Sequence, residues 1–316
     1  MTATSHPLDL RLAAWLEQLN QLIADQKAQG IEATAAMVRD SLAGLTATFV
    51  TERPAVDRVI DITVSNADRP IPVRLYDPVP SVAKPVCLFF HGGGHMAGSV
   101  EVYDPIARKL AQYTGQLVVS VDYRLAPETP YPGGLDDCLA VTRTLWETLA
   151  RHGVAAERSV TLIGDSGGGT FAATVAARLA DNESVAIHRL VLIYPSLDYT
   201  LSFPSILGNG QGFLLEQARI GWYFDHYFQH GEDRRQASPL WAPLPARMPA
   251  TLVIAAGYCP LRDEGVAFAG RLQEAGIPCQ LHEEHGAIHA YLNLENLVPD
   301  TCQRTYQRIA DFLARP

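Results

Sequence analysis

The stretch Val160-Thr-Leu-Ile-Gly-Asp-Ser-Gly-Gly-Gly-Thr170 runs from an apolar segment through a glycine cluster into an alanine-rich one, and Gly164, Ser166 and Gly168 within it form G-x-S-x-G. In a strand, sharp turn and helix, that pattern holds a serine hydroxyl above a sheet at a helix N-terminus. A nearby base can then take the hydroxyl proton and free the oxygen to attack an acyl carbon. The plainer alternative is a glycine-rich turn that cradles phosphate, but this turn has neither the G-x-G-x-x-G spacing nor the Gly-Lys-Ser/Thr of the phosphate loops. A second run, Val86-Cys-Leu-Phe-Phe-His-Gly-Gly-Gly-His95, ends an apolar strand in three consecutive glycines. Backbone N–H groups in such a loop can turn inward toward an anion, and acyl transfer creates one when the carbonyl oxygen becomes an oxyanion. A lone glycine triplet reads more simply as a flexible loop; beside G-x-S-x-G it supplies what the attack requires.

The chain holds ten histidines. His91 belongs to the glycine loop, and His6, His152, His188 and His230 sit in polar segments where a solvated ring is the simplest reading. His282, His285 and His289 cluster, with His285 and His289 at the i, i+4 step of a helical metal pair. Gly286 interrupts that step and no H-E-x-x-H glutamate accompanies it, so neither a metal nor any other cofactor is expected. His289 follows the serine in the order Ser, acid, His.

Taken together, His91-Gly-Gly-Gly94, Asp122-Tyr-Arg-Leu-Ala-Pro-Glu128, Gly164-Asp-Ser-Gly-Gly-Gly169, Pro260-Leu-Arg-Asp-Glu-Gly265 and His289 resemble the hormone-sensitive lipase family of α/β-hydrolases, the bacterial esterases with an HGGG signature. The resemblance covers the chain from about Pro72 onward. It implies a carboxylesterase acting on small to medium acyl esters through an acyl-enzyme, with Ser166 as nucleophile and His289 as general base. It makes Gly93, Gly94 and the N–H of Gly167 the oxyanion hole; Ala is usual in the family at the last position, a change expected to be harmless. Asp122–Glu128 is assigned support. The fold can also become a ligand-binding pseudohydrolase, as in the plant gibberellin receptors.

The family's acid is the first Asp of an Asp-Pro-Leu segment thirty residues ahead of the histidine, and here that position is Cys259. A neutral thiol is a weak donor and acceptor, poorly suited to fixing the imidazole tautomer and stabilising the imidazolium. Asp263, near the start of the next helix, is the first candidate replacement; Asp198 comes second and Glu283 or Glu284 third. The remaining alternative is that nothing replaces the acid and the enzyme is slow. Cys259 is not expected to be the nucleophile, because Ser166 already faces the oxyanion donors.

The elements that must position these groups are legible in outline. Leu12, Trp15, Leu16, Leu19 and Ile23, then Met37, Val38 and Leu42, recur at helical steps on either side of Gln29-Gly30, which predicts two amphipathic helices before any strand. Val56–Val64 and Ile71–Tyr76 read as an antiparallel hairpin, after which short apolar runs alternate with helix-length segments. The expected architecture is a mostly parallel, doubly wound α/β sheet with a helical cap, which the resemblance makes an α/β-hydrolase fold. Residues 1–50 are expected as cap helices and 51–316 as the catalytic domain, with a cap insertion at about 198–247 holding Trp222, Tyr223, Phe224, Tyr227 and Phe228. A net charge of −9 argues against a nucleic-acid partner. Five scattered cysteines argue against a disulfide scaffold, and no run of apolar residues is long enough for stable membrane insertion. A cytoplasmic enzyme with a small-molecule ester as partner is expected, and the resemblance adds a homodimer built through the C-terminal strand and helix.

Overall fold

A computed structural model describes residues 7–66 and 69–315. Two helices come first, α1 (Leu10–Ala28) and α2 (Ala35–Phe49). Asp9 accepts the N–H of Arg11 at the start of α1, and Thr34 accepts that of Met37 at the start of α2. Each side chain satisfies a donor that a helix start leaves unpaired. β1 (Arg58–Val64) and β2 (Ile71–Asp77) then form the hairpin. Strands and helices alternate from there through β3 (Val86–Phe90), α3 (Asp104–Thr114), β4 (Leu117–Val121), α4 (Gly133–Arg151), β5 (Val160–Asp165), α5 (Gly167–Leu179) and β6 (Ile187–Ile193). The short helices α6 (Pro204–Gly208), α7 (Gln217–Tyr227) and α8 (Arg234–Ala237) interrupt the alternation. It resumes with β7 (Ala250–Tyr258), α9 (Arg262–Glu274), β8 (Cys279–Ile288) and α10 (Pro299–Leu313).

The strands make one eight-stranded sheet in the order β1-β2-β4-β3-β5-β6-β7-β8, antiparallel at β1-β2-β4 and parallel from there on. The sheet is therefore the mostly parallel, doubly wound one expected. β3, β4 and β5 are buried along their whole length, as strands covered on both faces are. Strand order reverses direction at β3 and β4, so right-handed crossovers send α3 to one face and α4, α5 and α9 to the other. On α10 the buried side chains Cys302, Thr305, Tyr306, Ile309 and Phe312 fall at helical steps, and this face packs on α3. Among the described residues no helix is long and apolar enough to cross a membrane.

Strand register places the site. Phe90 pairs with Gly164, Asp165 with Ile193, and Tyr258 with Ile288. The residues that follow these ends, His91, Ser166, Tyr194, Cys259 and His289, therefore emerge together at the carboxyl edge of the sheet, where open α/β sheets bind ligands. Cys259 and His289 leave two paired strand ends side by side. The helices α1, α2 and α7 cover this edge and line the cavity above Ser166.

Candidate active site

Ser166 follows β5 with φ 51° and ψ −121°, a backbone conformation costly for any residue with a Cβ. Hydrogen bonds hold it there: its N–H donates to the Ile193 carbonyl at 2.9 Å, and its own carbonyl accepts from Gly169 and Ser196 at 3.0 Å each. The two glycines of the pattern are steric requirements. A Cβ at Gly164 would collide with the Gly168 carbonyl, and one at Gly168 with that of Phe90.

The glycine loop is held as tightly. Gly93 and Gly94 have φ of 121° and 61°, which turn their N–H groups in a way other residues resist. The Gly92 N–H donates to Asp165 at 2.7 Å, and the Tyr103 hydroxyl donates to the other oxygen at 3.2 Å. Burial pushes the Asp165 carboxyl up to about 7 despite those two bonds. The Asp122–Glu128 segment buttresses the loop from behind: Tyr123 donates its hydroxyl to the His91 carbonyl at 2.5 Å, and Ala126 its N–H to that of His95 at 2.9 Å. Arg39 of α2 ties the helix to this segment by donating to the carbonyls of Met96 (2.8 Å) and Ala126 (3.0 Å) while pairing with Glu128. From α7, the Tyr223 ring packs so closely on Gly94 that a Cβ there would lie 2.8 Å from it. The His95 ring stacks on Tyr227 at 4.2 Å and accepts or donates one bond with the Tyr199 hydroxyl at 2.9 Å. Arg39, Tyr223 and Tyr227 reach the loop across long sequence separations; the two tyrosines are legible as aromatics of the expected cap insertion, but nothing near any of the three marks the loop it touches.

Gly167, expected to be a neutral change from Ala, is tied to His95. A Cβ at this position would lie 3.2 and 3.3 Å from two atoms of that imidazole and 3.4 Å from the Gly94 nitrogen. The glycine thus makes room for a histidine beside the oxyanion donors.

His289 Nε2 lies 2.8 Å from Ser166 Oγ, and its Nδ1 lies 3.1 Å from Cys259 Sγ. Both partners are buried, His289 at 5% exposure and Cys259 at 0%. Burial drives the imidazole down to about 3, and burial, partly offset by the hydrogen bond from Leu261, drives the thiol well above its ordinary range. The pair is therefore neutral. The Leu261 N–H donates to the same sulfur at 3.3 Å.

None of the carboxylates proposed as replacements reaches this imidazole, which corrects the expectation for Asp263. That side chain sits in the first turn of α9, where it accepts the Ser205 N–H at 2.9 Å and pairs with Arg262 at 2.7 Å. Asp198 is saturated by Thr200, Ser202 and the Trp241 indole, which hold its carboxyl below the usual range although burial alone would raise it. Glu284 is engaged by Arg304 and Arg308, and Glu283 lies on edge strand β8 with His285. Among the described residues, the one side chain hydrogen-bonded at Nδ1 is the thiol that stands in the family's acid position.

A cavity of about 370 Å³ opens over Ser166 and His289, within the range of small-molecule sites. Trp15, Leu19 and Leu42 from the N-terminal helices and Leu215, Ile220 and Phe224 from the insertion make its walls mostly apolar.

Comparison with known proteins agrees with this geometry. Residues 87–293 match a family model described as the α/β hydrolase fold. The chain is 36% identical over 258 residues to Esterase LipI of Mycobacterium tuberculosis, covering 78% of this chain and 79% of that protein. It is 35% identical over 251 residues to an ethyl acetate hydrolase of Pseudomonas putida, covering 77% and 79%. A solved hyperthermophilic esterase from the archaeon Pyrobaculum calidifontis superposes with a TM-score of 0.86 at 30% identity, covering 98% of each chain.

Proposed function

This chain belongs to the α/β-hydrolase-fold family, in its hormone-sensitive lipase branch of serine carboxylic ester hydrolases, and from that premise we propose that it cleaves small to medium acyl esters with a Ser166–His289–Cys259 triad. The observation that carries the reading is the 2.8 Å contact between Ser166 Oγ and His289 Nε2 at the floor of an apolar cavity beside Gly93, Gly94 and Gly167. His289 Nε2 takes the hydroxyl proton as Oγ bonds to the ester carbonyl carbon. The N–H groups of Gly93, Gly94 and Gly167 hold the resulting oxyanion. The tetrahedral species collapses, the C–O bond to the alcohol breaks, and the proton on Nε2 passes to the leaving oxygen. Water then attacks the acyl-serine, gives its proton to Nε2, and the serine is released with the acid.

For Nε2 to accept a proton, Nδ1 must carry one, and in that tautomer Nδ1–H donates to Cys259 Sγ. The sulfur thereby orients the ring but brings no negative charge to the imidazolium, the feature that separates it from a carboxylate. A small acyl group suits both the cavity volume and the name of the ethyl acetate hydrolase. Five free thiols, four of them buried, fit the reducing cytoplasm. The pseudohydrolase alternative rests on the missing carboxylate alone and is opposed by the intact serine–imidazole contact.

The test is turnover of p-nitrophenyl esters of graded chain length by the wild type and Ser166→Ala. The reading expects hydrolysis that peaks at short to medium chains and falls at least about 10³-fold in the variant. Absence of turnover, or a fully active Ser166→Ala, would overturn it.

A further inference from the structure

Among the described residues, Asp165 and Arg219 are the two acidic or basic side chains, histidines aside, in the wall of the cavity over Ser166. Asp165 is committed to Gly92 and Tyr103. Arg219, in the first turn of α7, is half-buried, and no hydrogen bond or ion pair joins its guanidinium to a described residue. Its contact is with the Trp222 ring, whose centroid lies 5.4 Å from the guanidinium carbon. A cation–π contact of this kind uses none of the guanidinium N–H donors in a hydrogen bond, so the ones that grip a carboxylate as a fork remain available. A permanently charged guanidinium without a protein partner in a mostly apolar wall is free to pair with an anion that enters the cavity.

The position of Arg219 says what that would be. A second cavity of about 420 Å³ lies outside the first, and Ile23, Gln26, Met37, Leu214 and Arg219 line both, whereas Ser166 and His289 line the inner one alone. Arg219 therefore stands where the two chambers meet, one helical turn before Tyr223, whose ring packs on Gly94. The other cation of the outer chamber, Lys27, is taken by Glu216 at 3.0 Å, and Glu32 lines the same chamber. One unpaired cation matches the single charge of a carboxylate, whereas the second charge of a phosphate dianion would meet no further free cation among the described residues of this chamber and would face Glu32.

We propose that Arg219 selects esters that carry a free carboxylate some carbons away from the scissile carbonyl, the half-esters of dicarboxylic acids being the simplest members. The proposal rests on the esterase reading above. The ester group occupies the inner chamber against Ser166, the methylene chain follows the apolar wall, and the carboxylate meets the in-plane N–H groups of Arg219 at the junction.

The test compares monoethyl succinate, adipate and suberate with ethyl butanoate, hexanoate and octanoate by pH-stat, in the wild type, Arg219→Gln and Arg219→Lys. The readout is the ratio of kcat/KM for the charged ester to that for its neutral match. In Arg219→Gln the best ratio is expected to fall about tenfold or more, through KM, as loss of a charged hydrogen bond predicts. Arg219→Lys keeps the charge without the fork and should retain an intermediate ratio, and added salt should lower the wild-type ratio. A ratio unmoved by Arg219→Gln overturns the proposal even when both esters are cleaved more slowly, because a merely structural arginine would lower both alike. If the neutral esters are hydrolysed and the ratio does not move, this inference fails alone; if no ester is hydrolysed by the wild type, the esterase reading fails and takes it along.

Discussion

Cys259→Asp is expected to raise kcat about a hundredfold and, in the same variant, to move the acid limb of the pH profile upward. In the wild type the imidazole is held at about 3 instead of 6.5 by burial, so forming the imidazolium in this site costs on the order of 5 kcal/mol more than in water. That cation forms in both acylation and deacylation, and the neutral sulfur 3.1 Å from Nδ1 does little to offset it. In serine proteases the acid's charge contributes roughly 10⁴ in turnover, which sets a ceiling. A carboxylate at position 259 would be fully buried near the already buried Glu264, so its own desolvation removes part of the gain. Two donors, the Leu261 N–H and Nδ1–H, are already in place to receive it. If about half of the penalty is recovered, the barrier falls by roughly 3 kcal/mol, or about a hundredfold in rate. The sign of the pH effect follows from the base being active only when neutral: activity is lost as pH falls through the pKa of His289. With that value near 3 the wild-type limb lies near pH 3, and a new anion raises the pKa, so the variant should lose kcat/KM at a distinctly higher pH while being faster on its plateau. The assay is p-nitrophenyl butyrate hydrolysis from pH 3 to 9, with circular dichroism to check the fold. A well-folded variant with kcat within twofold of wild type and an unmoved limb would refute the reasoning.

Asp263→Asn should leave kcat within about threefold of wild type and act mainly on stability, because its carboxylate serves Ser205 and Arg262 and not the imidazole; a tenfold loss of turnover at unchanged Tm would contradict this. Gly167→Ala should lower kcat roughly tenfold, short of the 10²–10³ that removing an oxyanion donor costs, since the donor stays but the new Cβ presses on His95 and Gly94. An unchanged kcat would show that the His95 ring gives way. Asp77→Asn should cost about 3 kcal/mol by urea unfolding, because Asp77 is buried between Lys84 at 2.7 Å and Arg58 at 2.6 Å. Burial alone would raise the Asp77 carboxyl, but those cations hold it below its ordinary value, so its contribution is present above about pH 4 and is lost as pH falls through the folded pKa. The variant should accordingly show a weaker loss of stability in acid than the wild type.

The parts of the site that proved legible in the sequence are those with local causes. A strained serine turn needs glycine on both sides within a few residues, and a glycine loop after a buried strand is likewise a contiguous feature, so Ser166, Gly93 and Gly94 are readable one motif at a time. Cys259 was legible for a different reason: it and His289 follow strand ends that pair directly, Tyr258 with Ile288, so a fixed spacing became a fixed contact. Asp263 is near Cys259 in sequence but not near His289 in space. The first turn of α9 directs its carboxylate to Ser205, which arrives from an insertion many residues earlier and leaves no mark near Pro260. The same holds for Arg39, Tyr223 and Arg219, whose roles depend on how the N-terminal helices and α7 close over the sheet. Helical periodicity announces that those helices bury a face, but not which loop the face will touch.

Intact-protein and peptide mass spectrometry after reaction with a fluorophosphonate ester tests the central claim most directly. The account predicts one phosphonyl adduct per chain, located on the peptide that carries Ser166, absent in Ser166→Ala and still formed, more slowly, in His289→Ala. No adduct at all, or an adduct located on Cys259, would contradict it.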